Sequence, residues 1–164
     1  MSNSCDNRIK LREVLDEDLP TLYHQQLDPD ACEMAGFPPR GYDDFMAHWA
    51  KVRKMETAVT RAILFDGQVA GNIGSWEEVE EREVGYWLGK EFWGRGIATA
   101  ALKQFVEILQ FRLLFGYTAK SNIGSFKVLE KCGFKVDREE RMALRPGGDE
   151  IDVVILKLTD PKGV

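Results

Sequence analysis

A glycine-containing stretch in the middle of the chain has residue types and spacing suited to binding phosphate. Residues 83–99 have the pattern of a strand, a tight loop and the start of a helix. Gly94 and Gly96 carry no Cβ, so several loop N–H groups can come close to an anion. The helix beginning at Ile97 would direct its unpaired N–H groups and the positive end of its dipole at the same loop. We therefore expect a diphosphate to bind here; the alternative is that the glycines only form a turn between strand and helix.

The elements around this loop predict a sheet that is antiparallel first and mixed later. Two alternating segments flank an Asp66-Gly67 turn and predict a hairpin, and the strand beginning at Glu83 follows it. A long helix after the loop then leads by a right-handed crossover to a parallel strand. The predicted strands are residues 8–11, 59–65, 68–76, the strand from Glu83, 113–119, 134–144 and 151–158.

Helices are predicted from apolar spacing and from their end signals. Asp16 is expected to cap a first helix with Pro20 in its first turn, and a second helix follows Asp43 or Asp44. Residues 28–41 are rich in turn formers and are predicted to be a loop with apolar contacts. The last helix, residues 122–132, would be capped by Asn122 and ended by Gly133.

Composition excludes several classes of protein. The 164 residues, 44% hydrophobic and 30% charged, fit one domain spanning residues 1–164. The sequence has no apolar run near the roughly 20 residues of a membrane span and no signal pattern at its N-terminus, so we expect a cytoplasmic protein without a membrane partner. A net charge of -5 disfavours nucleic acid. Cys5, Cys32 and Cys132 lack paired spacing, and His24 and His48 are isolated, so we expect free thiols and no metal.

Two segments together resemble the GNAT superfamily of N-acetyltransferases, and in particular its RimJ/RimL-type branch. The first is Phe92-Trp93-Gly94-Arg95-Gly96-Ile97-Ala98-Thr99. The second is Asn122-Ile123-Gly124-Ser125 followed by Val128-Leu129-Glu130-Lys131-Cys132-Gly133-Phe134. Their order and separation agree with the family, as does the order of elements over most of the chain. The resemblance implies a single α/β (α+β) domain whose mixed, mostly antiparallel twisted sheet has about seven strands, about four helices and a splayed central pair of strands.

The resemblance also implies acetyl-CoA as the cosubstrate. The diphosphate would bind the loop, and the pantetheine arm would hydrogen-bond the free edge of the splayed strand as an additional strand does. Asn122 would contact pantetheine, cap its helix, or do both. The expected acetyl-CoA contacts are Trp87, Leu88, Gly89, Trp93, Gly94, Arg95, Gly96, Ile97, Ala98, Thr99, Asn122 and Ser125.

Glu83 is the candidate general base. An amine is mostly protonated at neutral pH and must lose a proton before it attacks a thioester. Glu83 resembles in placement the strand carboxylate that some family members use for this step. The alternative is an exposed strand charge, in which case Tyr86, His48 and Glu78 are the substitutes.

Ser125 is the candidate general acid. The family often places a tyrosine in the second helix to protonate the leaving thiolate, and this chain has Leu129 there. Ser125 lies one turn earlier on the same helix face and is the expected replacement, unless it only packs or caps. Cys132 is expected to pack on the apolar face of that helix rather than act as a nucleophile.

Two classes of function agree with these features. The first is an N-acetyltransferase, monomeric or homodimeric, that moves an acetyl group from acetyl-CoA to a protein N-terminus or a small amine by direct attack on the thioester. The second is a non-catalytic acyl-CoA-binding module, which Leu129 in place of tyrosine favours. An ordinary nucleotide-binding domain is disfavoured because G-x-x-x-x-G-K-[ST] and G-x-G-x-x-G are absent.

Overall fold

One seven-stranded sheet organises the computed structural model, which describes residues 7–110 and 113–159. The strand order is β1-β2-β3-β4-β5-β7-β6, and every neighbouring pair is antiparallel except β4 and β5. The mixed, mostly antiparallel sheet that the sequence implied is thus confirmed. The strands are β1 Ile9–Arg12, β2 Val59–Phe65, β3 Gln68–Glu78, β4 Glu81–Leu88, β5 Leu114–Ala119, β6 Lys135–Met142 and β7 Ile151–Leu158.

The parallel pair separates soon after it forms. In the described part of the chain, β4 pairs with β5 only at Glu83 with Phe115 and at Val84 with Gly116. Strand β4 nevertheless continues to Leu88 and stays paired with β3 on its other side. The edge of residues 85–88 that faces β5 is therefore open to an extended chain. This confirms the splayed central pair.

Helices cover both faces of the sheet. The α-helices are α1 Leu19–Gln25, α2 Pro29–Ala35, α3 Tyr42–Lys54, α4 Ile97–Leu109 and α5 Ile123–Lys131, with 3-10 turns at Asp16–Asp18 and Lys90–Phe92. Helices α4 and α5 pack on the main core, which includes Ala70 of β3. Helices α1 and α3 form a separate cluster that includes the adjacent Val69. Because neighbouring strand residues point to opposite faces, the two clusters lie on opposite sides of the sheet.

The region before β2 contains more helix than the sequence predicted. The loop predicted at residues 28–41 is wrong over Pro29–Ala35, so residues 9–110 and 113–159 contain five α-helices where about four were expected. Asp28 accepts a hydrogen bond from the Ala31 N–H at 3.0 Å, Pro29 occupies the first turn, and Gly36, with φ 91°, ends the helix. These are ordinary helix-end signals, but the count of turn formers outweighed them in the sequence.

The first helix also begins later than predicted. Asp16 belongs to a 3-10 turn and makes no side-chain cap for α1, which starts at Leu19 with Pro20 in its first turn. Asp18 instead is buried and accepts hydrogen bonds from the Arg12 guanidinium and the Leu15 N–H. The turn before α1 is therefore held by a side-chain ion pair to β1.

Candidate active site

The loop between β4 and α4 has an open surface of backbone. Gly94 and Gly96 have φ values of 77° and 76°, a region that L-residues with side chains rarely adopt. A Cβ placed on Gly94 would meet no atom within 4 Å. Gly96 precedes α4 without a capping side chain, and the first turn of that helix carries no acidic residue. The free N–H groups of this turn are therefore available to an anion such as a diphosphate.

Side chains of the loop mostly anchor it to the protein. Ile97 and Ala98 are buried in the main core, so they can offer a ligand only their backbone. The Trp93 indole donates to the Leu88 carbonyl at 3.0 Å, which fixes the loop to the end of β4. Arg95 is exposed beside the loop, with its guanidinium carbon 5.7 Å from the ring centre of Phe65.

The end of β4 is also held by internal hydrogen bonds. The Trp87 indole donates to the Gln25 carbonyl at 3.1 Å, and the Gly89 N–H donates to the Ala70 carbonyl at 2.9 Å. The Leu88 carbonyl is engaged by Trp93, and the Leu88 side chain is buried. The open backbone beside the gap, the space where β4 and β5 separate, therefore belongs to residues 85–87.

Helix α5 brings its first turn to the other side of the gap. The Asn122 side-chain oxygen accepts the Ser125 N–H at 3.1 Å, which confirms Asn122 as the helix cap. The Nδ2 group of Asn122 makes no hydrogen bond among the described residues. Thr99, in the first turn of α4, accepts from the Cys132 thiol through its carbonyl at 3.5 Å, so the two helices are also joined to each other.

Tyr86 is brought to Ser125, a contact that the sequence did not reveal. Burial raises the pKa of the Tyr86 phenol, and hydrogen bonding with the Ser125 side chain opposes that rise. The sequence placed Tyr86 only among the substitutes for the base. Because Tyr86 lies on β4 and Ser125 on α5, no local pattern links them. Together they place two hydroxyl groups beside the open edge of β4.

Leu129 and Cys132 have structural surroundings. Leu129 is buried, and a Cβ at Gly116 of β5 would lie 2.7 Å from its Cδ2, so this leucine packs directly on the strand. Burial raises the pKa of the Cys132 thiol to about 11, which keeps it protonated at neutral pH. Leu129 therefore has no group that can donate a proton, and the Cys132 thiol is a poor nucleophile at neutral pH.

Glu83 lies where β4 and β5 are still paired, and its carboxylate is unusually hard to ionise. Burial, and then the charges of Glu78 and Glu81, raise its pKa to about 7. The Trp76 backbone pairs with Glu83 across β3 and β4, and the Trp76 ring lies 3.0 Å from the position of a Cβ at Gly85. Within residues 7–110 and 113–159, Glu83 makes no side-chain hydrogen bond. A carboxylate with a pKa near neutrality is suited to accept a proton at physiological pH.

Arg138 lowers the pKa of Glu83 only weakly, because a neighbouring network of side chains engages its guanidinium. Arg138 donates to Glu81 at 3.1 Å and to the Tyr117 hydroxyl at 3.1 Å. The Tyr117 hydroxyl in turn donates to Glu81 at 2.6 Å. Arg138 also pairs with two exposed carboxylates of β6, so its attraction of Glu83 is the weakest of the effects on that group. The sequence did not reveal this network.

The substitute bases lie in different surroundings. His48 is on α3, where burial and then the charges of Arg40, Arg145 and Lys51 lower its pKa to about 4. It is therefore neutral at physiological pH and a weak base. Glu78 is exposed at the end of β3, near enough to raise the pKa of Glu83.

Residues 8–135 match the Acetyltransferase (GNAT) domain. The chain belongs to this family. This confirms the resemblance to the GNAT superfamily that the two sequence segments carried.

A Bacillus subtilis (strain 168) protein, named provisionally as ribosomal N-acetyltransferase YdaF, is 30% identical over 117 residues. The match covers 67% of this GNAT chain and 64% of that relative, so the chain spans just under two thirds of the relative's length.

Two solved structures have the same GNAT fold. Spermidine N-acetyltransferase from Vibrio cholerae, in complex with CoA and spermine, has a TM-score of 0.79 at 15% identity over 93% of this chain and 96% of that one. Mycobacterium smegmatis RimJ, in complex with CoA-disulfide, has a TM-score of 0.77 at 20% identity over 94% and 83%. The RimJ/RimL-type proteins are thus among those that share the fold of this chain.

The sequence predicted neither a membrane span nor a metal site. No helix in residues 7–110 and 113–159 is both long enough and apolar enough to cross a membrane. In the same residues, no three His, Cys, Asp or Glu side chains come together as a metal-binding group. Cys32 and Cys132 are free thiols, whereas Cys5 lies outside the described residues.

Proposed function

We propose that this GNAT protein transfers an acetyl group from acetyl-CoA to a primary amine. The observation that most supports the proposal is the open edge of β4 at residues 85–87, which leads to the Gly94–Gly96 loop and the free N-terminus of α4. An open strand edge suits an amide-bearing chain, and a helix N-terminus suits a diphosphate. Pantetheine and the CoA diphosphate have these two chemistries in this order.

The amine would attack the carbonyl carbon of the thioester directly. A bond from nitrogen to carbon forms, the carbon–sulfur bond breaks, and the sulfur leaves as a thiolate. Glu83 takes the proton that the ammonium group loses, either directly or through water, and its raised pKa supports this role. The Ser125 and Tyr86 hydroxyl groups supply the proton that the thiolate needs, which their mutual contact beside the gap supports. The nitrogen, once bonded to the carbonyl carbon, loses its second proton, which restores the hydroxyl group that protonated the thiolate.

The two proton-handling groups approach the gap from different faces of β4. Successive strand residues point to opposite faces, so Glu83 and Trp87 share one face while Val84, Tyr86 and Leu88 share the other. Val84 and Leu88 pack in the main core under α4 and α5. An acceptor would therefore approach from the sheet face that α1 to α3 cover, which we call the acceptor face. The leaving thiolate would meet the Ser125 and Tyr86 hydroxyl groups on the face of α5.

The second candidate is an acyl-CoA-binding module without catalysis. The buried Leu129 supports it, because the position that often carries a tyrosine in the family is filled by a core residue here. The pairing of Tyr86 with Ser125 supports catalysis instead, since it provides hydroxyl groups at the gap from other positions.

Thiol release with simultaneous binding measurements distinguishes these candidates. Acetyl-CoA affinity is measured by calorimetry, and CoA thiol release is followed with N-terminal peptides, polyamines, amino acids and aminoglycosides. We expect acetyl-CoA to bind and at least one class of acceptor to be acetylated, with one CoA thiol released for each amine acetylated. Binding without amine-dependent release across all classes would favour the module, and the absence of binding would contradict both candidates.

A further inference from the structure

Two arginine side chains lie near one another on the acceptor face, partly buried and without a carboxylate partner. Arg40 precedes α3, and Arg145 lies in the turn between β6 and β7. Neither guanidinium forms an ion pair within residues 7–110 and 113–159. Asp44 attracts Arg40 at a distance but is not bonded to it.

Both arginines are held in place by the protein. The Arg145 guanidinium carbon lies 3.9 Å from the centre of the Phe37 ring, and its Nη1 donates to the Pro38 carbonyl at 2.6 Å. The backbone of Arg40 is fixed on both sides by the buried Gln26. The Arg40 N–H donates to Gln26 Oε1 at 2.7 Å, and Gln26 Nε2 donates to the Arg40 carbonyl at 3.0 Å.

The electrostatic surroundings favour an anion between these groups. Burial lowers the pKa of Arg40, and burial together with the charge of Arg40 lowers the pKa of Arg145 to about 10. His48, whose pKa the same two charges lower, is neutral and therefore does not neutralise either arginine. Two partly desolvated cations near each other are unfavourable unless an anion neutralises them.

The arginines connect to the candidate active site through two aromatic rings in contact. The Phe37 ring, which carries Arg145 on one side, has its centre 5.8 Å from that of Trp87. Trp87 and Glu83 lie on the same face of β4, and four residues of a strand span roughly 13 Å. A molecule lying along this face can therefore place one end at Glu83 and the other near the arginines.

We infer that the acceptor carries an oxyanion, a carboxylate or a phosphate, which Arg40 and Arg145 bind while its amine faces Glu83. This rests on the proposed acetyltransferase function and adds the charge of the acceptor to it. The oxyanion lies several bonds from the amine. The donor diphosphate is bound elsewhere, because its loop precedes α4, which packs on the opposite face of the sheet.

Matched acceptors and charge variants test this inference. Primary amines of one chain length ending in a carboxylate, a phosphate or a hydroxyl group are compared as acceptors. We expect kcat/KM to be about tenfold to hundredfold higher for an oxyanion than for the alcohol, in line with charge-assisted hydrogen bonding. The carboxylate and phosphate series show which anion is preferred.

Arg40→Gln should remove most of that preference through KM, with acetyl-CoA affinity unchanged. Arg40→Lys should retain part of the preference for an oxyanion. Arg145→Gln, which removes the other positive charge, should also lower it. Lys10→Gln is the matched control, because Lys10 is exposed on β1 and its loss changes the net charge equally.

Binding is also measured without catalysis. The arginine side-chain ¹⁵N resonances of the wild-type protein are followed while the aminoalkyl phosphate is added in the presence of CoA. We expect the Arg40 and Arg145 signals to shift. Unshifted signals, or equal use of charged and neutral acceptors by the wild type, would overturn the inference and leave the acetyltransferase proposal intact. Shifted signals with no acetylation of any amine would support the anion site and contradict the proposed function.

Discussion

The carboxylate of Glu83 is kept protonated up to nearly neutral pH because burial and two neighbouring glutamates oppose its charge. As a base it would act only when ionised, so wild-type kcat/KM should rise as pH increases through about 7. Glu83→Gln keeps the shape and removes the proton acceptor, which typically costs about 10²- to 10⁴-fold. The deficit should shrink towards high pH, where more of the amine is already neutral.

Turnover of wild type and Glu83→Gln from pH 6 to 10, at two ionic strengths and saturating acetyl-CoA, measures this effect. A carboxylate that only attracts a cationic acceptor would instead give a salt-sensitive increase in KM with unchanged kcat. That result would assign Glu83 to substrate binding and direct the search for a base to Tyr86, Glu78 and His48.

The hydroxyl pair of Tyr86 and Ser125 should act as one unit. Because the pKa of Tyr86 is raised, its phenol remains protonated and able to donate throughout the neutral range. Tyr86→Phe and Ser125→Ala should each lower kcat, by about 10²-fold or more if either supplies the proton, and the double variant should cost little beyond the worse single one. Tyr42→Phe, at an exposed tyrosine of α3, is the control.

These rates are compared under conditions where chemistry limits turnover, with acetyl-CoA affinity measured in parallel. Normal turnover in both single variants would leave the pair a structural role in joining β4 to α5. Additive losses would mean that the two hydroxyl groups act at different steps.

At the scale of elements, the loop before α4 can be tested against a glycine turn elsewhere. Gly94 and Gly147 have similar positive φ values, 77° and 86°, and a Cβ at either would enter open space. Valine at either position should therefore cause similar backbone strain and a similar loss of thermal stability. Only Gly94→Val should weaken acetyl-CoA binding, by about tenfold or more, since each bond to a diphosphate is charge-assisted.

Calorimetry with acetyl-CoA on both folded variants gives the comparison. Equal acetyl-CoA affinity of the Gly94→Val and Gly147→Val variants would show that the diphosphate does not bind at this loop. Gly96→Val should weaken binding at least as much as Gly94→Val, because Gly96 also has a positive φ and immediately precedes the first turn of α4.

Elements set by neighbouring residues were predictable from the sequence. The Asp66-Gly67 hairpin, the Asn122 cap and the Gly133 helix end were confirmed, because a turn or cap depends on few residues close in sequence. Helix α2 was missed although its end signals were present.

The contacts that define the site lie far apart in sequence. Tyr86 with Ser125, Arg138 with Glu81, and Arg145 with Phe37 each join different elements. Local periodicity carries no information on such pairs, so the loop and the open strand edge could be predicted while the proton-handling partners could not.

At the scale of the whole molecule, the acceptor face keeps charges that a fold alone would not retain. Glu78 and Glu81 lie close to Glu83 near one end, and Arg40 and Arg145, which have no ion pair among the described residues, lie near Phe37 at the other. Groups of like charge in partly buried positions reduce stability, and such groups are commonly found where function requires them. Removing one of them should therefore stabilise the protein.

Glu83→Gln should raise the melting temperature, and the size of the gain should depend on pH. The folded pKa of about 7 lies above the ordinary value of 4.5, so folding favours the protonated form. Below about pH 4.5 the group is protonated in both states and the variant should match the wild type. As pH rises through 7, ionisation costs the wild-type fold stability, whereas glutamine carries no such cost.

Calorimetric melting at pH 4, 6 and 8 should therefore show a difference that grows from near zero at pH 4 to its largest value at pH 8. Glu107→Gln, at an exposed position on α4, controls for the loss of one negative charge from the whole protein. A variant less stable than the wild type at pH 8 would mean that the Glu83 carboxylate is stabilised in the fold. Its raised pKa, and with it the physical basis for its role as a base, would then be wrong.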